Sequence, residues 1–152
     1  MAYWLFKTEP DAFSLDDLKN APKQATLWEG VRNYQARNFM RDGVKLGDSV
    51  MIYHSSCKHV GVAGIAEVTH DAYPDPTQLD LSSDYYDAKA TSDKPRWVVV
   101  EVTYQSHLKK LISLKDIKAN NNITEIALKK GGRLSIMPVT KNDWDEIIKM
   151  AQ

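Results

Sequence analysis

Apolar positions cluster at the start of the chain, where Tyr3-Trp4-Leu5-Phe6-Lys7 predicts a first strand. Thr8-Glu9-Pro10 ends it, because proline cannot donate to a ladder and restricts the residue before it. Ser14 reads as the N-cap of a short helix through Leu15-Asp16-Asp17-Leu18, with Asp17 near the positive helix end. After a loop through Pro22, a second helix carries Tyr34, Arg37, Asn38 and Arg41 on one arc and Ala36, Phe39 and Met40 on the other. Gly30 is expected to precede this helix, and Gly43 to stop it as a left-handed cap. Lys45-Leu46-Gly47-Asp48 is a turn signal. Ser49 to His54 and Val60 to Val68 then have strand composition, and Gly61 and Gly64 predict a bend, a bulge or a close backbone approach in the second of these.

From His70 to Lys94 the periodicity fades into aspartates, prolines, serines and tyrosines, the pattern of a long excursion that is either a lid or rim or a solvated loop. Arg96 to Tyr104 restores a strand, and Lys109 to Ser113 suggests a shorter one. Two helices are expected next, one capped by Ser113 and one over Ile123 to Lys130, stopped by Gly131-Gly132. Arg133 to Pro138 reads as the closing strand, and Thr140 caps a last helix that buries Trp144, Ile147, Ile148 and Ala151. Strands that form the core with helices covering them predict an α+β fold built on a strongly bent sheet or partly open barrel. A doubly wound parallel sheet is disfavoured, since helices and strands do not alternate regularly and no glycine-rich phosphate loop joins a strand to a helix.

Composition narrows this to one compact domain spanning residues 1–152, with an ordinary 43% hydrophobic share. Twenty acidic residues balance 20 basic ones, so broad non-specific attraction to duplex phosphate is not the expected mode, and any nucleic-acid contact is local. A single cysteine, Cys57, excludes an intramolecular disulfide and a cysteine-cluster zinc site. The start shows neither a basic leader nor a long apolar run, which makes a cytoplasmic protein with no membrane partner the expectation, bacterial rather than nuclear.

The run Trp28-Glu29-Gly30-Val31-Arg32-Asn33-Tyr34-Gln35-Ala36-Arg37-Asn38 gathers base-reading and base-stacking side chains. Arginine and amide side chains make paired hydrogen bonds to base edges, and Trp28 and Tyr34 offer flat faces to an unstacked base. The alternative is a surface helix with a solvated arginine face. Trp4, Trp97 and Trp144 read as core residues, whereas Trp28 lies in a loop. On this reading Trp28→Ala removes base stacking and leaves folding largely intact. His54, Ser55, Cys57 and His59 cluster without a recognised nucleophile spacing or a second metal-ligand cluster, which weighs against an enzyme and against a metal site.

Trp4 to Pro10, the Trp28 to Asn38 run, Tyr53-His54-Ser55, Val60-Gly61-Val62-Ala63, Pro95-Arg96-Trp97 and Arg133 to Pro138 together resemble the EVE domain, of the PUA-like superfamily. The likeness runs in order from Trp4 to Trp144, and the order of its pocket elements is similar to that of YTH domains. It implies a non-catalytic reader that flips a modified base, foremost a methylated or otherwise modified cytosine in DNA, into an aromatic and polar pocket without a cofactor or metal. The implied pocket comprises Lys7, Thr8, Glu9, Trp28, Gly30, Val31, Arg32, Asn33, Asn38, Tyr53, His54, Ser55, Ser56, Arg133 and Ser135. Arg32, Arg37, Arg41 and Arg133 are the implied phosphate contacts, and a hollow near Ser55 or Ser56 would admit the modification. Asn33 and Asn38 have an alternative role in satisfying backbone groups before the helix, as do Tyr53 to Ser56 at a strand end. Modified RNA, such as transfer RNA, or a nucleotide-like small molecule is the alternative ligand. The expected state is a monomer working beside a separate nuclease or modification enzyme.

Overall fold

The computed structural model describes residues 1–152. Six strands form one mixed sheet: β1 (Tyr3–Thr8), β2 (Ala25–Leu27), β3 (Ser49–His54), β4 (Gly61–Pro74), β5 (Val98–Ser113) and β6 (Ile136–Val139), in the spatial order β2-β5-β4-β3-β1-β6. Only β1 and β3 pair in parallel, with Tyr3 opposite Ser49 and Thr8 opposite His54. The other pairs are antiparallel. These two central strands are buried on both faces, which is why they read as near-continuous apolar runs. Trp4, Phe6, Val50 and Ile52 point to one face, where α1 (Leu15–Asn20) and α2 (Tyr34–Asn38) pack with Trp28, Met40 and Val44. Leu5, Met51 and Tyr53 point to the other, covered by α3 (Leu114–Ala119) and α4 (Lys141–Met150).

The sheet does not close: β2 and β6 are its two edges, so the architecture is an open, PUA-like α+β fold. Its bend is built into β4 and β5, whose register shifts at four places along the pair. Two glycines allow the strands to press together. A Cβ at Gly61 would lie 2.2 Å from the Ile112 carbonyl oxygen, and one at Gly64 would lie 2.3 Å from that of Ser106.

The caps follow the sequence. Ser14, Ser113 and Thr140 each accept the backbone N–H three residues on, and Asp17 completes a capping box by accepting the Ser14 N–H. Other boundaries move. The second helix ends in a wide π-type turn over Phe39–Gly43, closed by the Val44 N–H donating to the Phe39 carbonyl at 2.9 Å. Gly43 is not a left-handed cap: it makes room for Trp4, whose ring would sit 2.7 Å from a Cβ at that position. β4 continues through Pro74, so the excursion begins at Asp75 rather than His70. Lys109 to Ser113 is the end of β5 and not a separate strand.

The helix expected over Ile123 to Lys130 is only a 3₁₀ turn at Ala127–Lys130. A competing set of partners explains this: buried Asp143 accepts the N–H groups of Thr124, Glu125 and Ile126, while Lys129 donates to the carbonyls of Asn120 and Ile123. Backbone groups satisfied by side chains need no helix. β6 starts at Ile136, three residues later than Arg133, and tolerates Pro138 because it is an edge strand.

Candidate nucleic-acid interface

A cavity of about 430 Å³ occupies the gap left by the unclosed sheet. Thr26 and Leu27, at one edge, line it from β2; Lys7, Thr8 and Glu9 at the end of β1 and Ser135 just before β6 line it from the other side. The chain from Trp28 to Arg32 crosses between them, with Phe13 and Tyr85 completing the wall.

One carboxylate organises this crossing. Asp75, with a fully buried side chain, accepts the Gly30 N–H at 3.0 Å, the Thr77 N–H at 2.8 Å, the Thr77 hydroxyl, and Arg32 Nη1 at 3.1 Å. Burial alone would raise its pKa, but the hydrogen bonds from Thr77, Gly30 and Arg32 together hold it below the usual carboxylate range. Arg32 also donates to the Tyr85 carbonyl through Nε at 3.2 Å and Nη2 at 2.7 Å, to the Val31 carbonyl, and to the Thr77 hydroxyl. All five donors of its guanidinium are therefore in use. The Tyr85 ring lies over Gly30, where a Cβ would meet Tyr85 Cζ at 2.5 Å; Gly30 sits at φ 79°, a conformation that glycine adopts without steric cost.

The remaining polar groups of the cavity are less committed. Lys7 has no ion-pair partner within 4.0 Å; burial lowers its pKa, and its ammonium sits 5.8 Å from the centre of the Tyr53 ring. Glu9 likewise has no cationic partner and is exposed at the mouth. Glu29 is pushed up, first by burial and then by the neighbouring Asp75 charge, with Arg32 opposing. The site thus combines the Ser135 hydroxyl, two carboxyl groups and an apolar wall of Phe13, Leu27 and Trp28, while the Lys7 ammonium turns toward Tyr53.

An EVE domain model matches residues 2–150. The chain belongs to the EVE domain family. Human thymocyte nuclear protein 1 is 37% identical over 168 residues, covering 99% of this chain and 74% of that protein. A crystal structure of that human protein, in complex with DNA containing 5-methylcytosine, superposes with a TM-score of 0.95 at 37% identity and covers 100% of this chain and 98% of that one. A Pseudomonas syringae protein, 44% identical, superposes with a TM-score of 0.94 over 99% of this chain and 100% of its own. A Leishmania major protein gives 42% identity and a TM-score of 0.93, with 99% and 94% covered.

In this EVE domain, Lys7, Thr8, Glu9, Trp28, Gly30, Val31, Arg32 and Ser135 line the cavity. The other residues of the expected pocket lie elsewhere. Asn33 caps α2 by accepting the Ala36 N–H at 2.9 Å, and Asn38 accepts Arg37 Nε and Nη2. Tyr53 is buried on the opposite face of the sheet, with its hydroxyl pushed up to about 12 by burial and then by nearby Cys57. His54 accepts the Leu15 N–H through Nε2 at 3.1 Å, which ties β3 to the start of α1. Burial also lowers the pKa of that imidazole, chiefly over the smaller influence of His107, against the raising effect of Asp16. Ser55 extends the parallel pairing by donating its N–H to the Thr8 carbonyl, and Ser56 is an exposed turn residue at φ 55°. No hollow of the cavity forms beside either serine.

The expected phosphate contacts also divide. Arg32 is spent on Asp75, Thr77 and the Tyr85 carbonyl, and Arg41 pairs with Asp42 at 2.8 Å. Arg37 has only neutral acceptors, Asn38 and the Arg96 carbonyl, and Arg133 is exposed without an ion pair. Trp28 is 9% exposed and packs on Phe6 with ring centroids 5.5 Å apart, so it is a wall shared with the core rather than a free loop aromatic. Its truncation therefore costs folding stability, on the order of 3–5 kcal/mol, which corrects the expectation that Trp28→Ala leaves the fold intact. Phe13, Thr26, Leu27, Glu29 and Tyr85 are lining residues that sequence reasoning did not single out. Only Glu29, inside the Trp28 to Asn38 run, and Tyr85, inside the excursion read as lid or rim, carried any signal.

Proposed function

We propose that this chain is a non-catalytic reader of DNA carrying a modified cytosine, and that the cavity between the sheet edges receives the modified base after it leaves the stack. The observation that carries the reading is the pairing of this cavity's chemistry with the ligand of the human relative. A cytosine edge presents an exocyclic amine as donor and ring positions as acceptors. Glu9 and Glu29 supply acceptors for the amine, and the Ser135 hydroxyl supplies the donor. Phe13, Leu27 and Trp28 supply the apolar surface against which the ring and an added methyl group rest. Thymine, which lacks the amine, would leave a carboxylate facing a carbonyl. Arg37 and Arg133, free of carboxylate partners, hold flanking phosphates, and the balanced net charge keeps the attraction local.

The test is fluorescence titration of the purified protein with short single-stranded and duplex oligonucleotides of DNA and RNA, carrying cytosine, 5-methylcytosine or 5-hydroxymethylcytosine at one position. Preferential binding of a modified DNA member, lost in Glu29→Ala, is the expected result. Equal binding of modified and unmodified strands overturns the reading, and preference for the RNA members moves it to modified RNA.

A further inference from the structure

Beside the cavity, Tyr34 lies on Trp97 with ring centroids 4.9 Å apart and planes 27° from parallel, and Tyr34 is 50% exposed. Trp97 is held rigidly beneath it. Its N–H and carbonyl are both taken by the buried Gln78 side chain, and its indole N–H donates to Asp87 at 2.8 Å. The Arg37 guanidinium is 4.8 Å from the Tyr34 ring centre and 6.0 Å from that of Trp97. Were Arg37 across Tyr34 from Trp97, it would be much farther from Trp97 than that, so it flanks the stacked pair, and Tyr34 keeps half of its surface exposed. Arg32, a wall residue of the cavity, lies 5.3 Å from the same Trp97 ring and joins the two sites.

We infer that Tyr34, backed by Trp97 and flanked by Arg37, is a stacking platform for a second nucleobase, the neighbour of the base that enters the cavity. The inference rests on the reader function proposed above. Extruding one base breaks a stack on each of its neighbours, and a flat aromatic face with an uncompensated cation beside it replaces one of those stacks while attracting the adjoining phosphate. Because Trp97 is already fixed by Gln78 and Asp87 and Tyr34 is stacked on it, little side-chain freedom is lost on binding. Stacking on an aromatic face is sequence-tolerant, so the platform contributes affinity, and the cavity contributes discrimination.

The experiment uses the full chain and single-stranded DNA with 5-methylcytosine or cytosine next to 2-aminopurine, a base whose fluorescence falls when it stacks. Wild type and Tyr34→Phe are expected to quench the probe. Tyr34→Ala, whose fold is checked by its melting temperature, is expected to lose the quench and to weaken binding of both strands equally, by about 5- to 150-fold. Undiminished affinity and quenching in Tyr34→Ala, with methyl preference intact, overturn the platform and leave the cavity reading standing. Quenching by wild type without any methyl preference, abolished in Tyr34→Ala, upholds the platform and overturns the cavity reading. Absence of binding to every strand overturns both.

Discussion

Replacing Asp75 with alanine tests whether one carboxylate organises the crossing that walls the cavity. In the folded protein this side chain is fully buried and accepts from Gly30, Thr77 and Arg32. Alanine would leave two backbone N–H groups and a guanidinium without their acceptor, and removing one partner of a buried ion pair costs about 3–5 kcal/mol. The Arg32 side chain is 23% exposed, so water recovers part of its loss, and the lower end of that range, about 3 kcal/mol, is expected. Against a typical domain stability of about 5–15 kcal/mol the variant still folds, and urea unfolding followed by tryptophan fluorescence measures the difference. Asp75→Asn keeps an acceptor but loses the charge, and about 1–2 kcal/mol is expected. Arg32→Met alone strands the Asp75 charge, so the double variant is expected to lose less than the sum of the single losses. The sign with pH follows from the depressed carboxyl: its contribution is complete above the unfolded value of 3.8 and disappears as acid titrates the folded protein below it, so the gap between wild type and variant closes in acid. An Asp75→Ala loss under about 1 kcal/mol, or simple additivity with Arg32→Met, refutes the reasoning.

Three further outcomes are expected. Gly30→Ala is strained at φ 79° and collides with the Tyr85 ring; a loss of about 1–3 kcal/mol in a chemical denaturation curve and a displaced Tyr85 ring signal by NMR are expected, and an unmoved ring signal contradicts the packing. Tyr53 is held neutral to about 12 while the unfolded residue ionises near 10.0, so stability is full below 10.0 and falls as pH rises toward 12, by at most about 3 kcal/mol; Tyr53→Phe is expected to flatten that fall in melts at stepped pH. Burial depresses Lys7, so its charge opposes folding at neutral pH, and the opposition fades as pH approaches 10.5; Lys7→Met is expected to stabilise by about 0.5–1 kcal/mol in urea unfolding at pH 7, and a destabilised variant contradicts that sign.

The parts of the fold that were legible in the sequence are those decided locally. Ser14, Ser113 and Thr140 announce helix starts because a cap acts within three residues. β1 and β3 announce themselves because both faces are buried. Ile123 to Lys130 misled because Asp143, a partner far along the chain, takes the backbone donors a helix would have used. The site divides in the same way. Lys7 to Glu9, Trp28 and Gly30 to Arg32 reach the cavity, but Asn33 and Asn38, chemically as suited to a base edge, are spent on the α2 N-terminus and on Arg37. Tyr53 and His54 end β3, where alternation carries Tyr53 away to the opposite face, and Ser55 and Ser56 lie in the turn beyond it. Leu27 and Tyr85 become neighbours only through the curl of the sheet and the return of the excursion, which no linear pattern encodes.

The same geometry is consistent with the proposed reading of a chain with no net charge as a reader of a polyanion's base. A broad basic face would hold any DNA, and its affinity would swamp a discrimination that rests on one methyl group. Here most arginines near the site are already committed: Arg32 to Asp75, Arg41 to Asp42, Arg96 to Asp87. What remains for phosphate is sparse, so on the proposed reading binding energy comes from the cavity and its surroundings, where base identity matters. The cavity is also a continuation of the core, since Trp28 packs on Phe6 while forming its wall. Its shape is therefore maintained by the packing that stabilises the fold, and widening the pocket to admit another modification means disturbing Trp28 and Phe6 together. Specificity changes are accordingly easier at Glu9, Glu29 or Tyr85, exposed side chains of the rim, than at the apolar wall.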